Sequence, residues 1–382
     1  MADGEAACLA LADGTLWRGM AWGARGRRTG EVVFNTCITG YQEVLTDPSY
    51  CRQIVVMTAP HIGNTGVNDD DDESDRAWVA GFAVRQASRS VSSWRAAGPL
   101  DEYLCRRDIV GITSLDTRPL VHHLRDHGAM HGALVSDGGG LEDAVALARS
   151  APDINAMDLV GEVSCKAPYV WSERADAAWY PLADFDDDEP ILARPHVLVF
   201  DFGVKRNTLR LLASRGCRVT VVPARTPADV VLSVAPDGVL LSNGPGDPAR
   251  LGDVIEIIRG LVGRVPVFGI CLGHQLLGSA LGGTTYKLKF GHRGGNQPVR
   301  DERTGAVAIS SHNHGFALAA EGLPEGVAVT HVNLNDGCVE GLAAPHLRAF
   351  SVQYHPEAAP GPHDAAGLFG EFLAMVGNGR GG

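Results

Sequence analysis

"PVFGICLGHQLLG", Pro266–Gly278, runs a short apolar stretch into a cysteine fenced by glycines on both sides and continues at the helical period. The apolar run reads as a buried strand and "HQLLGSALGG" as a helix, leaving Gly269-Ile270-Cys271-Leu272-Gly273 to make a sharp turn between them. G-x-C-x-G at a strand-to-helix turn is the cysteine form of the nucleophile elbow. The tight turn lifts the nucleophile above the sheet, and the flanking glycines avoid a clash that a side chain would cause. The helix N-terminus beneath it offers partial positive charge and free N–H groups to a thiolate, which an ordinary thiol with a pKa of about 8.5 needs at neutral pH. Alone, the motif also fits a buried structural cysteine in a glycine-rich turn.

Outward from this stretch the pattern alternates. After Pro195, "HVLVFDFG" reads as a buried strand, "KRNTLRLLASRG" as a helix ending on Gly216, "CRVTVVPA" as a strand, "TPADVVLSVAPD" as a helix, "GVLLSNGPG" as strand into loop, and "LGDVIEIIRGLVG" as a helix. Strands separated by helices of this length imply βαβ units, hence a largely parallel sheet with helices on both faces and ligands at the carboxyl ends of the strands. From Thr284 to Pro356 short β-like runs and turns follow, with "NDG" at Asn335–Gly337 as a hairpin signal, and "DAAGLFGEFLAMVG" reads as a closing helix. The first half reads as α/β with β-rich stretches. The expected organisation is an N-terminal domain over 1–151, an acidic, proline-bearing linker region over 152–195, and a sheet domain over 196–378.

Composition narrows the function. The 382 residues suffice for two or three domains, and a net charge of −12 without any clustered Lys/Arg stripe excludes a nucleic-acid footprint. The eight cysteines show no C-x-x-C pair and no metal-ligand spacing, so no metal is expected and free thiols in a reducing cytoplasm fit. The N-terminus carries acids where a secretory signal carries bases, and no apolar run approaches the roughly 20 residues that cross a bilayer. A soluble, cytoplasmic protein without membrane contact is expected. The acidic run Asp69–Asp75 reads as a solvated loop.

Two further segments carry chemistry. In "SVQYHPE", His355 and Glu357 sit two apart at a predicted strand end, on one side of an extended chain. Glu357 would accept from one imidazole nitrogen and fix the tautomer while the other faces Cys271. H-P-E in isolation also fits an exposed turn. "LSNGPGDP", Leu241–Pro248, is a glycine-rich loop at a strand end whose backbone N–H groups suit an oxyanion. It lacks the third glycine of a dinucleotide loop, and no G-x-x-x-x-G-K-[ST] occurs anywhere in the chain.

Together, "LSNGPGDP", "PVFGICLGHQLLG", "SHNHGFAL" and "SVQYHPE" resemble class I (triad) glutamine amidotransferases. "FNTCITGYQEVLTDPSYCRQIVVMTAPHIGNTGVN" (Phe34–Asn68), "GITSLDTRPLVHHLRDHGAM" (Gly111–Met130), "VFDFGVKRNTLRLL" and "KLKFGHRGGNQPV" are similar to the carbamoyl-phosphate synthase small-subunit family over nearly the whole chain. The resemblance implies an α/β chain with a class I amidotransferase domain at its C-terminal end. It further implies a chain that hydrolyses L-glutamine and passes ammonia through an internal tunnel to a large subunit, which makes carbamoyl phosphate from bicarbonate and ATP. This chain would hold no cofactor, the ATP and Mg belonging to the large subunit, and would work in a heterodimer or an assembly of heterodimers.

Residue by residue, the resemblance makes Cys271 the nucleophile, His355 the base and then acid, and Glu357 its orienter. It gives the backbone of Gly244 and Leu272 the oxyanion, and Gln275, Gly246, Asn313, Gly315 and Phe316 the glutamine. Ser49 of "TDPSY" matches an N-terminal-domain serine that contacts glutamine, and His314 stands in the second layer. Three positions depart from the family pattern: His312 stands where Gln is usual, Gln297 where His is usual, and Cys37 where a small residue is usual.

Overall fold

The computed structural model describes residues 5–139, 141–176 and 190–377. The chain forms two compact units, Met1–Met157 with Lys289–Gly294, and Asp158–Leu288 with Gly295–Gly382.

The first unit is a closed seven-stranded barrel, ordered Ala6–Leu11, Leu16–Gly23, Val110–Thr113, Gly81–Ala83, Gln53–Met57, Arg27–Asn35 and Met130–Val135. Its three parallel pairings join the middle of that order, and the other pairings are antiparallel. Alternate residues point inward, so Leu9, Leu11, Val32, Ile54, Val56, Val110, Ile112 and Leu134 share one core. Val33, Val55 and Met57 face outward and are covered with Tyr41, Val44, Leu45, Leu100 and Leu104 from the helices Tyr41–Thr46 and Leu100–Arg106. The β-rich texture of the first half thus comes from strands whose two faces are both buried, which hides the alternation that would reveal a barrel.

The acidic run corrects one expectation. Asp72 and Glu73 are buried. Asp72 accepts from Gln42 Nε2 at 2.7 Å and the Tyr103 hydroxyl at 2.6 Å and pairs with Arg107, while Asp71 takes Arg95 at 2.9 Å. A buried carboxylate is tolerated where cation and donors surround it. Charge count alone does not show such partners.

The second unit is built on a ten-stranded sheet whose centre is parallel, in the order Ala349–Val352, Val267–Ile270, Gly238–Leu241, His196–Asp201 and Arg218–Pro223. The inner strands are buried on both faces. Val197 and Val199 point to one layer, with the helices Arg206–Ala213 and Gly367–Gly377, and Leu198 and Phe200 to the other, with Gly252–Leu261 and Leu272–Ala280. Every strand and helix read after Pro195 is present. Thr285–Asp301 and Val307–Leu318 are long strands rather than short runs, and Asn335–Gly337 turns the hairpin between Ala328–Asn333 and Val339–Ala344.

The linker differs from its predicted extent. Residues 158–171 belong to the second unit, because Val160 packs in its core and Tyr169–Trp171 pairs antiparallel with Arg218–Pro223. Residues 177–189 of the acidic segment and residue 378 of the predicted sheet domain lie outside the described residues. Among the described residues no helix is long and apolar enough to cross a membrane.

Candidate active site

The strand Val267–Ile270 lies between Gly238–Leu241 and Ala349–Val352, and Cys271 leaves its carboxyl end. Cys271 caps the helix Leu272–Ala280 with φ 53° and ψ −104°, a strained positive-φ conformation that a non-glycine residue adopts only when its surroundings impose it. They do: its N–H donates to Val352 O at 2.9 Å, and Gly273 N–H to Ser242 O at 3.0 Å. A Cβ on Gly273 would lie 2.1 Å from Leu241 O, and one on Gly269 2.7 Å from Gly273 O. Both glycines of G-x-C-x-G are therefore demanded by backbone approach. Cys271 is buried, and its thiol points at Asn313 O, 3.6 Å away.

His355 lies just beyond the strand Ala349–Val352, held by its N–H donating to Ser311 O at 2.8 Å. Its Nδ1 is 2.6 Å from Glu357 Oε1, as the spacing of two predicts. Nε2 has no hydrogen bond of ordinary geometry among the described residues. Burial pulls the imidazole pKa down, but the Glu357 carboxylate and Cys271 outweigh it and the net shift is upward. The strand Val307–Leu318 is tied to both residues, since Asn313 O faces the Cys271 thiol at 3.6 Å and Ser311 O takes the His355 N–H at 2.8 Å. Burial pushes Glu357 up, while Lys205 and His355 draw it well below the usual carboxylate range. The pair is thus biased to imidazolium and carboxylate.

Lys205 was not singled out from sequence. Its Nζ donates to Glu357 Oε1 at 2.9 Å and also to Ala358 O, and Asn207 Nδ2 donates to Glu357 O. The signal was present, because "FGVKRN" follows a buried strand at its carboxyl end, where parallel sheets gather polar groups.

Gly244 and Gly246 sit in the loop after Gly238–Leu241. A Cβ on Gly244 would lie 2.0 Å from Phe202 O, and Gly246 has φ 97°. Leu272 is the first residue of the elbow helix, where backbone N–H groups have no intrahelical acceptor. Gln275 donates from Nε2 to Phe316 O at 2.8 Å and Gln353 Oε1 at 3.0 Å. Asn313, Gly315 and Phe316 lie on the strand Val307–Leu318, with Asn313 carrying the carbonyl opposite the thiol. His314, on the same strand, is buried and bonds Phe316 O through Nδ1 at 2.8 Å. Ser49 lies in the first unit, in a single turn Pro48–Tyr50 capped by Asp47.

The departing residues are accommodated. Cys37 is buried, its N–H donating to Asn35 Oδ1 at 2.7 Å. Gln297 accepts from Asn335 Nδ2 at 2.8 Å, and His312 is buried against His314. His274, one turn after Cys271, is fully buried, with its pKa lowered by burial to about 3, and bonds Ser351 Oγ at 2.8 Å.

Residues 9–134 match the family model described as carbamoyl-phosphate synthase small chain, CPSase domain, and residues 198–375 match glutamine amidotransferase class-I. The carbamoyl phosphate synthase small chain of Syntrophotalea carbinolica is 55% identical, the match covering 97% of each chain. That of a Synechococcus strain is 51% identical over 98% of this chain and 95% of its own. The chloroplastic small chain of Oryza sativa subsp. japonica is 50% identical over 97% of this chain and 82% of its own. With identity of this order along almost its entire length, the chain belongs to the carbamoyl phosphate synthase small chain family and carries a class-I glutamine amidotransferase domain in its second half.

Proposed function

We propose that this chain is the glutaminase subunit of a carbamoyl phosphate synthase, hydrolysing L-glutamine through Cys271, His355 and Glu357. The reading rests on one observation above others: a cysteine held at φ 53° on a strand-to-helix elbow and an imidazole bonded to a buried carboxylate at 2.6 Å, both tied to the strand Val307–Leu318.

Cys271 Sγ attacks the side-chain amide carbon of glutamine, and the carbonyl electrons move to an oxyanion held by the N–H groups of Gly244 and Leu272. His355 Nε2 delivers the proton originating on the thiol to the leaving nitrogen. The C–N bond breaks, ammonia departs, and a γ-glutamyl thioester remains. Water then gives a proton back to His355 and its oxygen to the acyl carbon, releasing glutamate and restoring the thiol. Glu357 keeps the ring in one orientation and stabilises the imidazolium, as the carboxylate of such triads does. Losing one oxyanion donor costs on the order of 10²-fold in rate.

Gln275, Gly246, Asn313, Gly315, Phe316 and Ser49 are assigned to glutamine, and His314 to the layer behind, on family resemblance. A large subunit would take the ammonia through a tunnel and supply the ATP-dependent steps with Mg, so this chain needs no cofactor for hydrolysis. That division calls for a heterodimer or an assembly of heterodimers, which we place in the cytoplasm. The test is Cys271→Ser in the assembled enzyme. Glutamine-dependent carbamoyl phosphate synthesis should disappear while ammonia-dependent synthesis persists, and retained glutamine hydrolysis would refute the reading.

A further inference from the structure

His312 and His314 alternate with Asn313 on the strand Val307–Leu318, so both imidazoles leave one face. Glu340, on Val339–Ala344, meets them there, and all three side chains are buried. Their hydrogen bonds fix the tautomers. His314 Nδ1 lies 2.8 Å from Phe316 O, and a carbonyl only accepts, so Nδ1 carries the ring proton. Ser310 Oγ donates to Gln297 O at 3.1 Å, which spends its single hydrogen. The 2.8 Å contact between Ser310 Oγ and His312 Nε2 therefore requires the proton on Nε2.

With both rings neutral, these three bonds use every proton that Ser310, His312 and His314 own. The remaining nitrogens, His312 Nδ1 and His314 Nε2, then point lone pairs at each other across 3.2 Å, with Glu340 Oε1 3.6 Å from His312 Nδ1. A cation among these three atoms, one extra proton or a metal ion, relieves that repulsion, and the atoms lie close enough together to share one.

The distances favour the metal. A tetrahedral ion with ligands at about 2.0–2.1 Å sets neighbouring donor atoms roughly 3.3–3.4 Å apart. The separations of 3.2 and 3.6 Å bracket that edge. A charge-assisted hydrogen bond would draw its heavy atoms to about 2.7–2.9 Å instead. The surroundings are those of a built site: Phe316 O and Ser310 Oγ orient the two rings, and Asn333 Nδ2 donates to Glu340 Oε1 at 3.0 Å.

We propose that His312 Nδ1, His314 Nε2 and Glu340 Oε1 bind a divalent transition-metal ion, zinc by the preference of two imidazoles and a carboxylate. The ion would join strand Val307–Leu318 to strand Val339–Ala344. Asn313, whose carbonyl faces the Cys271 thiol, lies between two of its ligands, so the metal steadies a wall of the nucleophile's site.

The test uses the full-length chain, stripped with a chelator, equilibrated with Zn²⁺ and desalted, with retained zinc measured by elemental mass spectrometry. Wild type and Cys271→Ser should each retain one zinc per chain. His312→Gln and Glu340→Gln should bind it roughly tenfold or more weakly. Only wild type and Cys271→Ser should gain thermal stability on adding zinc. If wild type retains none, or both variants retain as much as wild type, the contact holds a proton and the proposal fails. Should the variants not fold, Co²⁺ added to wild type decides: a tetrahedral spectrum without sulfur charge transfer supports the site, and the spectrum of the aqueous ion overturns it.

Discussion

Lys205 and Glu357, 152 positions apart, meet with Nζ 2.9 Å from Oε1, and both side chains are almost wholly removed from solvent. The oxygen that takes the ammonium also takes His355 Nδ1. One carboxylate thus sits between two cations, and its charge sets the proton affinity of the imidazole.

The signs of two substitutions follow. Lys205 lowers the His355 pKa and Glu357 raises it. Lys205→Met should therefore move the His355 limb of the glutaminase pH profile to higher pH, and Glu357→Gln should move it to lower pH, read from kcat/KM against pH. Lys205→Met also strips a cation from a buried carboxylate, which costs about 3–5 kcal/mol of stability. A shared direction for the two variants would contradict this electrostatic arrangement.

The elbow glycine Gly273 and the neighbouring loop glycine Gly244 leave no room for a side chain. Gly273→Ala would place a methyl group 2.1 Å from Leu241 O, and Gly244→Ala one 2.0 Å from Phe202 O. Backbone cannot yield as a flexible side chain can, so each should lower stability by about 3 kcal/mol. Each should also cut glutamine hydrolysis by roughly 10²-fold through displaced donors. Gly252→Ala, where a Cβ meets nothing within 4 Å, serves as the comparison in the same denaturation series.

Acid should weaken the second unit through His274. Burial holds its folded-state pKa at about 3, below that of the unfolded chain. The unfolded chain then binds the proton first as pH falls. Stability is full above about pH 6.5 and is lost toward pH 3, at up to roughly 1.4 kcal/mol per unit. His274→Gln should flatten the dependence of unfolding free energy on pH over that window in urea titrations; an unchanged slope would remove His274 from the account.

In the first unit, Asp72→Ala should destabilise by about 3 kcal/mol, because it leaves Arg107 and the hydroxyl of Tyr103 facing an unfilled site. Asp70→Ala, on the same run with its carboxylate largely in water, should change stability by less than about 0.5 kcal/mol. Equal effects in thermal unfolding would mean that the run acts as one solvated loop after all.

Much of the second unit was legible in the chain. Its inner strands are apolar runs bounded by glycine and proline, its helices carry an amphipathic period, and G-x-C-x-G and H-P-E state their local geometry in their spacing, because the elbow turn and the His355–Glu357 contact are each set within a few residues of backbone. The barrel was not legible, since strands buried on both faces lose the alternation that reports a face. Nor was Lys205, whose role depends on a carboxylate contributed from the far end of the chain. The same holds for His312, a one-residue departure that gains meaning only when Glu340 arrives from another strand. Local spacing fixes what lies within a turn or along one strand, whereas which distant charges share a dry interior is decided by the sheet order, and only tertiary structure supplies that order.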